Sequence, residues 1–131
     1  MKLSGRILVI DDDASFGRAI RRILNVFDVT TCSTLDAARS RLLIENFDVV
    51  VSDVQLGQDS GLDLFEELVI RRPELAARYV FISGAAGEPE TRARLVRTGV
   101  PFLSKPFKVG EFTEAIAWIL AQRYAMAPRK E

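Results

Sequence analysis

The chain has 131 residues, 48% of them apolar and 27% charged, the profile of one globular domain able to bury a core without disulfides or structural metals. Lys plus Arg and Asp plus Glu number 18 each, so the formal net charge is zero and no global attraction to nucleic acid or anionic lipid arises. Histidine is absent, which removes Ser-His-Asp triads, a histidine general base and the commonest zinc ligand; the single Cys32 cannot form an intrachain disulfide and reads as a small buried hydrophobe.

RILVI (6–10) is an unbroken apolar run and is predicted as a strand covered on both faces. Phe16, Ile20, Ile23, Leu24 and Phe27 then recur at spacings of three and four, the pattern of an amphipathic helix, with Asp13 as its N-cap. FDVTTC (27–32) reads as a weaker second strand. Leu35, Ala38 and Leu42 predict a second helix, capped by Ser33 ahead of Asp36. DVVV (48–51) is the third strand, and Leu62, Phe65, Leu68 and Val69 mark a third helix with Ser60 as its cap. YVFI (79–82) is the fourth strand. Glu88 to Thr98 is a helix with few large apolar residues, Pro89 suiting its first turn and Gly99 its end. VPFL (100–103) is the fifth strand, and Val109, Phe112, Ile116, Ile119 and Leu120 form the stripe of a last helix. From about Ala125 the chain turns small, polar and basic, so one domain over 1–125 and a flexible tail over 126–131 are expected. No stretch resembles a signal peptide, and no apolar run approaches the roughly 18 residues that span a bilayer, so a cytoplasmic location is expected.

Five alternating strand–helix units imply a single α/β domain: a doubly wound (βα)5 sandwich around a parallel sheet with right-handed crossovers. Such sheets bind ligands outside the carboxyl ends of their strands. Asp11, Asp12 and Asp13 follow the first strand, Asp53 the third, Ser83 the fourth and Lys105 the fifth. Each alone also fits a plain cap, turn or loop residue. Together at four strand ends they suggest a built site. Carboxylates packed together repel one another, and a divalent cation relieves that conflict. Oxygen ligands favour Mg²⁺ or Ca²⁺, and Mg²⁺ accepts phosphate oxygens beside one or two carboxylates. A lysine and a serine can reach further phosphoryl oxygens, and a carboxylate can serve as covalent acceptor.

ILVIDDD, VVVSDVQLGQDSGLDL, VFISG and FLSKPF, in this order, resemble the receiver domains of two-component response regulators over nearly the whole chain. Ser83 lies 30 and Lys105 52 residues after Asp53, spacings typical of receivers. The resemblance implies a flavodoxin-like fold with strand order 2-1-3-4-5. It implies Asp53 as phosphoacceptor, Asp11 and Asp12 as the acidic pair at Mg²⁺, and the backbone carbonyl of Gln55 as a further metal ligand. Ser83 would be the switch hydroxyl, Phe102 the switch aromatic, and Lys105 the phosphoryl's salt-bridge partner with a cis bond to Pro106. The phosphoryl donor would be a sensor histidine kinase or a histidine phosphotransfer domain. The response would be a changed face of fourth helix, fifth strand and fifth helix, near which Trp118 is placed unless it simply packs. That face would act on a downstream protein or a fused output domain, with no direct nucleic-acid or membrane binding and homodimerisation left open. Such a domain is a signalling module that assists its own phosphorylation and dephosphorylation, not an enzyme with a separate substrate.

Three positions depart from the usual receiver pattern. Gly57 replaces a common proline, from which a looser loop after Asp53 is expected. Gly84 replaces a usual alanine, and Phe102 lacks a tyrosine hydroxyl. Two other readings stay open. A haloacid-dehalogenase-type phosphatase would use Asp11 as nucleophile with Asp13 two positions on, but Ala14 stands where that motif has glycine and Asp53 has no role in it. An unphosphorylated receiver-like binding module is the second. A dinucleotide-binding domain lacks its GxGxxG.

Overall fold

The computed structural model describes residues 5–125, so the expectation for 126–131 lies outside the described residues. Five strands form one parallel sheet: β1 (Arg6–Ile10), β2 (Asp28–Cys32), β3 (Val49–Asp53), β6 (Tyr79–Ser83) and β7 (Phe102–Ser104). Their order is β2-β1-β3-β6-β7, which is the expected 2-1-3-4-5. In between run α1 (Ala14–Ile23), α2 (Leu35–Ile44), α3 (Gly61–Arg71), the single-turn α4 (Pro73–Ala76), α5 (Pro89–Thr98) and α6 (Val109–Ala125). A two-stranded hairpin, β4 (Gln55–Leu56) with β5 (Asp59–Ser60), leaves the end of β3.

The alternation of side chains along each strand divides the core in two. Leu8, Ile10, Val50, Tyr79 and Phe81 face α2, α3 and α5. Ile7, Val9, Val51, Val80 and Ile82 face α1 and α6, meeting Ile20, Leu24, Phe112 and Ile116. β1, β3 and β6 are buried almost throughout, which is why their sequences are unbroken apolar runs, whereas edge strand β2 alternates. Among the described residues no helix is long and apolar enough to cross a membrane.

Most helix ends carry the expected capping residues. Asp13 Oδ1 accepts from the amides of Ser15 and Phe16, Ser60 caps α3, Pro89 opens α5, and Gly99 ends it with φ 74°. Three expectations shift. Thr34, not Ser33, caps α2, accepting from the Ala37 amide, because the helix begins one residue later than the acid spacing suggests. The fifth strand is Phe102–Ser104 rather than 100–103, as only those residues pair with β6. Val69 and Val109 belong to the apolar stripes by spacing but lie at the exposed margins of α3 and α6. Trp118 is half exposed and lines a shallow groove with Thr98 and Val100, where α5 leads into β7, so it lies beside the face on which the resemblance places it. Cys32 is buried as expected, and burial pushes its thiol pKa up.

Tyr79 is fully buried, its ring edge-on to Phe65 at 5.2 Å, and its hydroxyl has no hydrogen-bond partner among the described groups. Burial alone pushes its pKa far above the ordinary tyrosine value. A buried hydroxyl without a partner is a net cost. Tyr79→Phe is therefore expected to raise unfolding stability by about 1 kcal/mol in a urea titration; a loss of stability would show that the hydroxyl is satisfied in solution.

Candidate functional site

The parallel register brings the ends of β1, β3, β6 and β7 to one edge. Asp53 ends β3 opposite Ile82, so Ser83 lies one residue further along the neighbouring strand, and Ser83 in turn faces Ser104, just before Lys105. Carboxylate oxygens of Asp11, Asp12 and Asp53 all lie within 4.8 Å of one another. Lys105 Nζ donates to Asp11 Oδ2 at 3.0 Å and to Asp53 Oδ2 at 2.9 Å. Four of the residues singled out in the sequence thus meet at one point, although Lys105 is 94 residues from Asp11 along the chain.

Each carboxylate is held differently. Asp11 is 6% exposed, and its Oδ1 accepts from the Asp13 amide at 2.8 Å. Burial raises its pKa, the Asp13 amide and Lys105 partly offset that, and Asp53 adds to the rise. Repulsion between acids, expected from the sequence, is thus the smaller cause. Asp12 is exposed, and its Oδ2 accepts from the Gly57 amide at 3.0 Å. Asp53 Oδ1 accepts from the Gln55 amide at 3.1 Å. Burial disfavours the Lys105 ammonium, but the hydrogen bonds and charges of Asp53 and Asp11 outweigh it and raise its pKa.

Two glycines shape the backbone around Asp53. Gly57 has φ 63°, a left-handed conformation open to glycine and closed to proline, and it turns the β4–β5 hairpin while offering its amide to Asp12. The loop after Asp53 is thus a hairpin whose turn takes a φ that proline could not adopt. Gly61 donates its amide to the Val54 carbonyl at 2.6 Å, and a Cβ there would overlap the Asp53 carbonyl oxygen.

Ser83 is buried; its Oγ accepts from the Ala85 amide at 3.0 Å, and its carbonyl accepts from the Lys105 amide at 2.9 Å. The Lys105–Pro106 bond is cis, as the resemblance implies. Half-buried Phe102 pairs with Phe81 across β6–β7 and lies under the Arg92 guanidinium, 5.6 Å from the ring centre. Asp13 is turned to the α1 amides, outside the acidic cluster, so the Asp11–Asp13 pair that a dehalogenase-type phosphatase needs is not assembled.

This arrangement has a known family. The model of the response regulator receiver domain matches residues 7–117. The chain belongs to that family. A regulatory protein, VirG of Agrobacterium fabrum, is 31% identical over 128 residues, covering 95% of this chain and 49% of its own length, so the chain spans about half of that relative. The CheY-like receiver domain from Methanospirillum hungatei superposes with a TM-score of 0.85 at 22% identity, over 95% of this chain and all of its own. A Burkholderia pseudomallei response regulator, solved with a phosphorylated aspartic acid, calcium ion and citrate, is 28% identical with a TM-score of 0.74, over 94% of this chain and 75% of its own. The receiver is thus a signalling domain of the two-component type, and its acidic cluster offers oxygen ligands to a metal ion.

Two stability effects follow for this receiver. Gly61→Ala must push back the Asp53 backbone and is expected to cost about 1–3 kcal/mol in a denaturant titration. The raised pKa of Asp11 means that the folded state holds its proton more tightly than the unfolded chain. Its contribution is present below the ordinary aspartate range and is lost as pH rises through the raised value. Asp11→Asn is therefore expected to stabilise the metal-free protein at neutral pH, measured as a higher Tm in chelator.

Proposed function

We propose that this receiver accepts a phosphoryl group on Asp53 from the phosphohistidine of a sensor histidine kinase or histidine phosphotransfer domain, and signals by a change of shape. The observation that carries it is the Asp53 carboxylate held between Lys105 and two further acids at the mouth of the sheet. The phosphorylated aspartic acid in the Burkholderia relative supports the same chemistry.

An Asp53 oxygen attacks phosphorus in line; the P–N bond breaks and its electron pair returns to the donor imidazole. Later, water attacks phosphorus, the acyl–phosphate bond breaks, and the carboxylate and inorganic phosphate are released. Lys105 already touches one Asp53 oxygen and is placed to pair with a phosphoryl oxygen. Asp11, Asp12 and Asp53, with the Gln55 backbone carbonyl, would hold Mg²⁺, and the all-oxygen cluster suits a hard cation. When bound, Mg²⁺ neutralises charge on the transferring group.

The phosphoryl group adds about −1.5 to −2 of charge beside Asp53. Ser83 Oγ leaves the Ala85 amide to donate to a new oxygen, which vacates space beside Phe102. The face of α5, β7 and α6 is the output surface, acting on a downstream protein or a fused output domain. Leu95 is the only fully buried residue of α5, so little apolar burial opposes its movement. Phe102 has no hydroxyl, so the output does not depend on one. The even charge balance supports an output through protein contacts rather than direct nucleic-acid or membrane binding, with a homodimer as one form of it. A cytoplasmic site fits a donor of this kind, and the domain assists its own dephosphorylation rather than turning over a separate substrate.

Incubation with a small acyl phosphate and Mg²⁺ tests this reading by intact mass. Wild type is expected to gain one phosphoryl group and Asp53→Asn none; uptake by the variant at the wild-type rate would exclude Asp53 as the acceptor. Mg²⁺ is expected to raise the wild-type Tm and to leave that of Asp12→Asn nearly unchanged.

A further inference from the structure

The Lys105 ammonium has three sides, and the two carboxylates account for two of them. On the third lies the Phe16 ring, with Nζ 4.4 Å from the ring centre. That distance is well inside the range in which an ammonium is drawn to the negative face of an aromatic ring. Phe16 is not loose. It stands on the first turns of α1, half-buried, where the Asp13 cap fixes the start of the helix. Its ring meets Phe107 edge-on at 5.9 Å, and Phe107 meets the fully buried Phe112 of α6 at 5.5 Å. A chain of three rings therefore runs from the core on the α1–α6 side of the sheet to the ammonium beside Asp53.

A lysine side chain has four rotatable bonds, and two acceptors alone leave the ammonium free to follow whichever carboxylate moves. The apolar spacing in the sequence assigns Phe16 to the core stripe, where any large hydrophobe would serve. Its contact with Lys105 demands a ring. We propose that Phe16 is a positioning residue for the phosphoryl-transfer site: its ring face confines the Lys105 ammonium to the side of Asp53 where the phosphoryl oxygens arrive. The inference rests on the reading of Asp53 as acceptor and assigns a role to a residue outside the acids, the hydroxyl and the lysine.

Phe16→Leu keeps an apolar side chain of similar reach and removes the ring. With a small acyl phosphate and Mg²⁺ it is expected to take up the phosphoryl group roughly three- to tenfold more slowly, the range that a partly desolvated cation–ring contact is worth. Phe16→Tyr, which restores a ring face, is expected to recover the rate. In a Lys105→Gln background Phe16→Leu is expected to have no further effect, because no cation remains to be placed. An independent readout needs no phosphoryl transfer. The methylene protons next to Lys105 Nζ are expected upfield of ordinary lysine values in the NMR spectrum of the wild type, through the ring current of Phe16, and back at ordinary values in Phe16→Leu. A wild-type rate in Phe16→Leu, an equal slowing with and without Lys105, or an unshifted Lys105 signal in the wild type would each overturn the assignment. None of those results bears on Asp53, whose role fails only if Asp53→Asn is itself phosphorylated at the wild-type rate.

Discussion

Three carboxylates lie within 4.8 Å of one another beside a single ammonium that touches two of them, and this imbalance of charge dominates the carboxyl edge of the sheet. Like charges so close are tolerable only because each is compensated differently. Asp11 is buried and shifted toward its protonated form, Asp12 faces solvent and a backbone amide, and Asp53 holds Lys105. An excess of negative charge remains, which is the condition under which a divalent cation binds. Asp53 sits at the tip of a fully buried strand, yet its side chain is the least enclosed of the two acids that Lys105 touches.

The backbone around that edge is shaped by what the acids need. Gly57 reaches a left-handed conformation so that its amide can meet Asp12, and Gly61 allows the first turn of α3 to pass against the Asp53 carbonyl. Hydrogen bonds from the Asp13 and Gln55 amides aim the other two carboxylates. Backbone donors of this kind are set by the fold and cost no side-chain entropy, so they orient the acids more firmly than solvated side chains could.

From the site, two routes lead into the body of the domain. One passes through Ser83, whose carbonyl receives the Lys105 amide, to Phe81 and Phe102, register partners across β6 and β7, and on to Arg92 of α5. Arg94 ties α5 to Asp63 and Glu66 of α3 only by solvent-exposed ion pairs, which contribute little. The other passes from Lys105 through Phe16 and Phe107 to the core of α6. The first route ends on the loosely anchored α5, the second on a tightly packed helix. α5 thus buries little apolar surface on one side of the site, and α6 buries much on the other.

Hydrophobic period and strand-end residues determined the sheet, its parallel sense and the site acids, because buried strands need unbroken apolar runs and caps need particular side chains. The resemblance in ILVIDDD, VVVSDVQLGQDSGLDL, VFISG and FLSKPF added the strand order. Three features stayed out of reach. The β4–β5 hairpin depends on a left-handed Gly57 whose amide finds an acid 45 residues away, a contact that carries no local pattern. The larger share of burial over repulsion at Asp11 depends on what packs around it, which spacing does not encode. Phe16 carries the same core signal in sequence as Ile20, yet only the folding of the β7–α6 turn brings an ammonium onto its ring. Periodicity records which side of an element is buried, and only the tertiary structure decides what stands against it.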